Sequence, residues 1–248
     1  IWCVPKYQNP TGIVYSDEMV YRFARLKPAA EDFRIFWDNA YCVHCFDGDC
    51  AEIPDIIEEC EKAGNADLVY EFCSTSKVNF PGSGISAVAA SPANLIDIRS
   101  FMFFATIGPD KINQLRHARF FKGSAGLRAH MKKHAEILKP HFDAVYTTLR
   151  SELGGTGIAD WTEPKGGYFI SFNTMSGCAK AVVQLCAKYG VKFTPAGATY
   201  PHGYDPEDKN IRLAPSFATV KEVTEAITVL CLCTKLVSIR AIIRERQA

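Results

Sequence analysis

Asp67-Leu68-Val69-Tyr70-Glu71-Phe72-Cys73-Ser74-Thr75-Ser76-Lys77 is the stretch that decides how this chain folds. Its first six residues are rich in strand formers, and they run into a hydroxyl-bearing turn that ends in a lysine. Upstream, Phe33-Arg34-Ile35-Phe36-Trp37 is a second run of the same kind, ending at Asp38. Between the two, residues 53–63 carry apolar side chains at helical spacing. Strands alternating with helices imply a parallel α/β sheet. Ligands of such sheets bind beyond the carboxyl ends of the strands, and Asp38 and Lys77 both fall at such ends.

The same reading extends outward. Ser16 is placed to cap a helix whose apolar positions Met19, Val20, Phe23, Ala24 and Leu26 share one face, with Pro28 near its end. After the Pro81-Gly82-Ser83-Gly84 turn, residues 85–90 read as a strand of small residues. Helical patterns follow, including a long one from about 126 to 153 that Pro140 is expected to interrupt. A helix of that length suits a link between two domains. Residues 166–172, 191–194 and 210–213 then read as strands, and 178–188 and 219–244 as helices, which together suit a smaller α+β domain. The expected division is residues 1–128 and 129–248.

With 48% hydrophobic and 22% charged residues, the chain has the apolar material for a large core. Twenty-eight Lys and Arg balance 27 Asp and Glu, so no net field favours nucleic acid or an anionic membrane, and small molecules or other subunits are the expected partners. The contiguous apolar stretches 85–90 and 229–233 are far shorter than the roughly 18–20 residues that span a bilayer, so no membrane segment is expected. The opening Ile1-Trp2-Cys3-Val4-Pro5 has no signal-peptide pattern and reads as the interior of a longer protein. Ten cysteines form no regular framework, and reduced thiols in a cytoplasm are the expectation. Cys42, His44, Cys45 and Cys50 include a CxxC step that suits zinc, but a second pair at matching spacing is lacking, and no metal is expected.

Four polar elements punctuate the chain: Asn9-Pro10-Thr11-Gly12, Asp38-Asn39-Ala40-Tyr41, Ser74-Thr75-Ser76-Lys77 and Asn210-Ile211-Arg212. Singly they have plain readings as a turn, a strand cap, a solvated lysine and a surface arginine. Their order and spacing resemble the fold-type I aminotransferases. Residues 74–91 (STSKVNFPGSGISAVAAS), 194–200 (TPAGATY) and 210–217 (NIRLAPSF) are similar to the aspartate aminotransferases of bacterial subgroup Ic. The resemblance covers essentially the whole chain. It implies a PLP-transferase-like α/β fold, a mostly parallel sheet with flanking helices whose N-terminal part is missing, followed by a small C-terminal α+β domain. Residues 1–128 would be the C-terminal half of the large cofactor-binding domain, and 129–248 a linking helix and the small domain.

The resemblance also implies roles. Lys77 would hold pyridoxal 5'-phosphate as a Schiff base and shuttle the substrate α-proton. Asp38 would keep the ring nitrogen protonated, Tyr41 and Asn9 would hydrogen-bond the phenolic oxygen, and Ser74 and Ser76 would contact the phosphate. Arg212 would grip a substrate carboxylate through two parallel hydrogen bonds. Many members place a phosphate-binding arginine eight residues beyond the lysine, whereas this chain has Ile85 there and, like subgroup Ic, a Gly-Ser-Gly turn. The implied reaction is amino transfer between aspartate or glutamate and a 2-oxo acid such as 2-oxoglutarate, by a homodimer. Two other readings fit the same residues: an effector-binding, aminotransferase-like domain of a transcription regulator, and an inactive fragment.

Overall fold

A computed structural model describes residues 1–48 and 50–247. They divide into two compact units, residues 1–7 with 13–134, and residues 8–12 with 135 onward.

In the first unit, strand β1 (Trp2–Cys3) is followed by helix α1 (Asp17–Ala24), whose N-terminus is capped as expected, with the Met19 N–H donating to Ser16 Oγ at 3.3 Å. Strand β2 (Ile35–Asp38), helix α2 (Ile56–Lys62), strand β3 (Val69–Ser74) and strand β4 (Ser86–Ala90) come next. Helices α3 (Pro92–Thr106) and α4 (Lys111–Phe121) follow. The sheet order is β1-β2-β3-β4, with the first three strands parallel and β4 antiparallel to β3. The sheet is therefore mixed, and mostly parallel.

Alternation along the strands divides the sheet. Cys3, Ile35, Trp37 and Val69 are buried against Val20 and Ala24 of α1 and Ile56 and Cys60 of α2. The complementary positions Trp2, Phe36, Tyr70 and Phe72 line up on the other face, with Trp2 beside Phe36 at 5.7 Å between ring centroids and Phe36 beside Phe72 at 5.7 Å. Such edge-to-face aromatic pairs add about 0.5–1.5 kcal/mol each beyond their buried area.

Helix α5 (Ser124–Leu153) begins in the first unit and continues into the second. It runs unbroken through Pro140, where an interruption was expected. Proline deletes one backbone donor, but Phe142, Val145, Leu149 and Leu153 bury one continuous stripe beyond it. That packing outweighs the lost bond.

The second unit continues with strands β5 (Ala159–Trp161) and β6 (Ile170–Thr174), helix α6 (Ala179–Lys188), strand β7 (Asn210–Leu213) and helix α7 (Val220–Gln247). The sheet β5-β6-β7 is antiparallel, and Ile170, Phe172, Ile211 and Leu213 are buried from its strands. No strand forms at 191–194: the Val191 N–H closes the end of α6 on the Cys186 carbonyl instead of entering a ladder. Helix α7 is long and apolar enough, by length and composition, to cross a membrane, although no contiguous apolar stretch signalled it. Its Val223, Ile227, Leu230 and Cys231 are buried where it packs beside α6, while Leu232, Ile239 and Ile243 are exposed.

Candidate functional site

Strands β2 and β3 run parallel with Asp38 opposite Phe72. Asp38 is the last residue of β2, and Ser74, the last of β3, lies two residues beyond its partner, so both side chains emerge at the carboxyl edge of the sheet. The Asp38 carboxylate accepts from the Trp2 indole N–H at 3.1 Å and from the Ala40 N–H at 3.1 Å. It borders a cavity of about 820 Å³ together with Trp2, Phe72, Ser74 and, from α3, Met102.

After Ser74 the chain makes one tight turn, in which the Thr75 carbonyl accepts from Val78 N at 2.8 Å and Asn79 N at 3.0 Å. Ser74 Oγ and Ser76 Oγ lie 2.8 Å apart, and the Ser76 N–H donates to Ser74 Oγ at 3.1 Å. Lys77 is exposed at the crest while Val78 is buried beneath it. Gly84 stands against this turn so closely that a Cβ there would lie 3.0 Å from Ser76 Oγ and 3.2 Å from Ser76 N. The Gly-Ser-Gly turn thus brings bare backbone to the serines where a side chain would intrude.

Tyr41 is buried in the turn that follows β2, its ring edge-on to His44 at 5.7 Å. Asn39 is held below it, its N–H donating to the Phe72 carbonyl at 2.8 Å and its amide to Glu71. Burial raises the Glu71 pKa above the ordinary range, and burial likewise pushes His44 down.

Asn9 and Arg212 come together in the second unit. An Arg212 guanidinium N–H donates to Asn9 Oδ1 at 2.9 Å, and the guanidinium carbon lies 4.7 Å from the centre of the Phe169 ring. Arg212 sits in mid-strand on β7, opposite Ser171 of β6.

Residues 1–246 match the family model described as aspartate amino-transferase. The chain belongs to the aspartate aminotransferase family. An aspartate aminotransferase of Corynebacterium glutamicum is 42% identical over 236 residues, 95% of this chain and 55% of the relative. A relative from Mycolicibacterium smegmatis is 43% identical over 246 residues, 99% of this chain and 58% of its own length. The chain therefore spans somewhat over half the length of the curated relatives it matches. The crystal structure of an aspartate transaminase of C. glutamicum superposes with a TM-score of 0.95 at 41% identity, covering 97% of this chain and 57% of that one. An α-aminoadipate aminotransferase of Thermus thermophilus, at 21% identity and a TM-score of 0.77, shares the fold over 96% of this chain and 59% of that one.

Sequence reasoning passed over three histidines at the lysine turn, His44, His117 and His130, and the Trp2 indole that bonds Asp38. His44 had entered only as a zinc ligand. Cys45 and Cys50 are bonded to each other, with Cα atoms 5.0 Å apart, so they offer no thiolates to a metal. That bond also corrects the expectation of thiols reduced throughout: Cys45 and Cys50 lie within bonding reach of each other, while the other eight cysteines are free. Among the described residues no group of three or more metal-ligating side chains converges.

Proposed function

We propose that this protein is a pyridoxal 5'-phosphate-dependent aminotransferase, moving an amino group between aspartate or glutamate and a 2-oxo acid such as 2-oxoglutarate, with Lys77 as the cofactor-bearing residue. The in-register parallel pairing of β2 with β3 carries the reading, because it brings Asp38 and the Ser74–Lys77 turn out at one sheet edge. The donor set there suits the cofactor: a fixed carboxylate for a ring nitrogen, paired hydroxyls for a phosphate, and an exposed primary amine for an aldehyde.

When bound, the cofactor supplies an electron sink for the bond broken at the substrate α-carbon. Lys77 would hold it through Nζ and, once displaced by substrate, take up and return the α-proton at that atom. Asp38 would keep the ring nitrogen protonated. Ser74 and Ser76 would donate to the phosphate, and Tyr41 and Asn9 to the phenolic oxygen. Arg212 would orient the substrate by its carboxylate.

The relatives' names support aspartate as a substrate. The balanced charge supports small molecules as partners, with neither nucleic acid nor an anionic membrane, and a cytoplasmic location is part of the same proposal, supported by the eight cysteines that stay free beside the one disulfide. A homodimer is part of the same proposal. The effector-binding reading is set aside, since the family match runs along the chain to residue 246.

The test is an absorbance scan of the purified protein before and after borohydride reduction, followed by mass mapping. The expected adduct is on Lys77, and Lys77→Ala should lose both the adduct and at least about a thousandfold in turnover, within the range that positioned proton transfer supplies. An adduct or full turnover retained in Lys77→Ala overturns the assignment. A folded protein that takes no cofactor points to the inactive reading.

A further inference from the structure

The lysine turn is gripped by three imidazoles that reach it from three different places in the sequence. His44, 3% exposed, has Nε2 3.0 Å from the Lys77 carbonyl oxygen. His130, on the first turns of α5, has Nε2 3.1 Å from the carbonyl oxygen of the next residue, Val78. His117 of α4, 2% exposed, has Nε2 3.0 Å from Thr75 Oγ1.

The chemistry of the partners fixes the protons. A carbonyl only accepts, so His44 and His130 must each carry hydrogen on Nε2. For His44, burial disfavours the charged ring, which leaves the neutral Nε2–H tautomer donating to Lys77. His117 has its Nδ1 2.8 Å from the Asn113 carbonyl, so that nitrogen carries a hydrogen and donates, while its Nε2 and the Thr75 hydroxyl share a hydrogen bond. Thr75 Oγ1 in turn accepts the Ile85 N–H at 2.9 Å, which ties the turn to the start of β4.

We propose that His44 is a positioning residue for Lys77, fixing the peptide that follows the lysine Cα while His117 and His130 hold the neighbouring stations. This rests on the reading of Lys77 as the cofactor lysine. A lysine side chain has many rotamers and much entropy to lose, and an exposed one is not aimed by packing. What aims its Cα–Cβ bond is the backbone on either side, and that backbone is where these imidazoles bind.

The test compares His44→Phe, which keeps a ring against Tyr41 but has no donor, with His44→Gln, whose amide nitrogen stands near the lost Nε2. Amide hydrogen exchange over residues 74–80 of the cofactor-free protein is the first readout. His44→Phe should speed exchange there about tenfold, with residues 210–213 unchanged, and His44→Gln should bring it back to within about threefold, as expected for loss and recovery of one buried hydrogen bond. In the loaded enzyme, kcat should fall about tenfold in His44→Phe, with KM changed less than twofold. Wild-type exchange and kcat in His44→Phe overturn the proposal, and so does a rise spread equally over 35–38 and 69–74, which marks a general loss of packing. If His44→Phe does not fold, His130→Leu at the half-buried station on α5 reads the same turn: faster exchange at 78–80 supports the grip, and unchanged exchange removes it. Should borohydride fix no cofactor on Lys77 of the wild type, the cofactor reading fails by itself, and the exchange data still decide what His44 does.

Discussion

The Arg212 guanidinium stacks over Phe169, spends one N–H on Asn9 Oδ1, and buries its Nε without an acceptor among the described residues. A buried donor left unmade costs about 1–3 kcal/mol, so the side chain is poised for a ligand that accepts along the guanidinium edge. A planar carboxylate does this, and a lysine ammonium could not present the matching fork. Arg212→Lys is therefore expected to lower kcat/KM for aspartate about a hundredfold, mostly through KM, in steady-state assays of the holoenzyme. A value within twofold of wild type removes Arg212 from substrate recognition. Arg212 was legible in the sequence because its motif is local, whereas His44 was not, because its partner lies 33 residues on and only folding brings the two together.

At the scale of elements, the turn that carries Asn9 depends on a glycine. Gly12 has φ of +71°, and a Cβ there would stand 2.1 Å from Pro164 Cγ and 2.6 Å from the Phe169 carbonyl oxygen. The left-handed backbone costs a non-glycine residue about 1–2 kcal/mol, and overpacking adds about 1–3 kcal/mol more. Gly12→Ala should thus destabilise the protein by about 2–5 kcal/mol in urea unfolding. A loss under about 0.5 kcal/mol would mean that the turn moves aside freely. The turn itself was readable from Asn-Pro-Thr-Gly, but its tight fit against Pro164 was not. The elements that the sequence hid share a physical reason. Strands β1 and β5 have two and three residues, too few for alternation to show. The expected strand at 191–194 had the right residue types but no neighbour to pair with. Pro140 was a correct local signal that packing along α5 overrode.

Across the whole molecule, the order of strands and helices announced an α/β sheet, yet no pattern in one chain says which of its apolar faces the chain itself will cover. In the first unit, α1 and α2 cover one face of the sheet, and α3 carries Phe101 and Phe104 at 77% and 85% exposure. Contiguous apolar patches beyond a few hundred Å² are uncommon on monomers and promote association. The 248-residue chain produced by itself is therefore expected to bind a hydrophobic dye strongly and to scatter light at tens of micromolar, roughly where apolar surfaces of this kind begin to associate. Phe101→Lys with Phe104→Lys should cut both signals by more than half while leaving the circular dichroism intact, since lysine suits the C-terminal part of a helix. If both signals persist undiminished, the association belongs to the aromatic face formed by Trp2, Phe36 and Phe72, and Phe36→Lys should then be the substitution that lowers them.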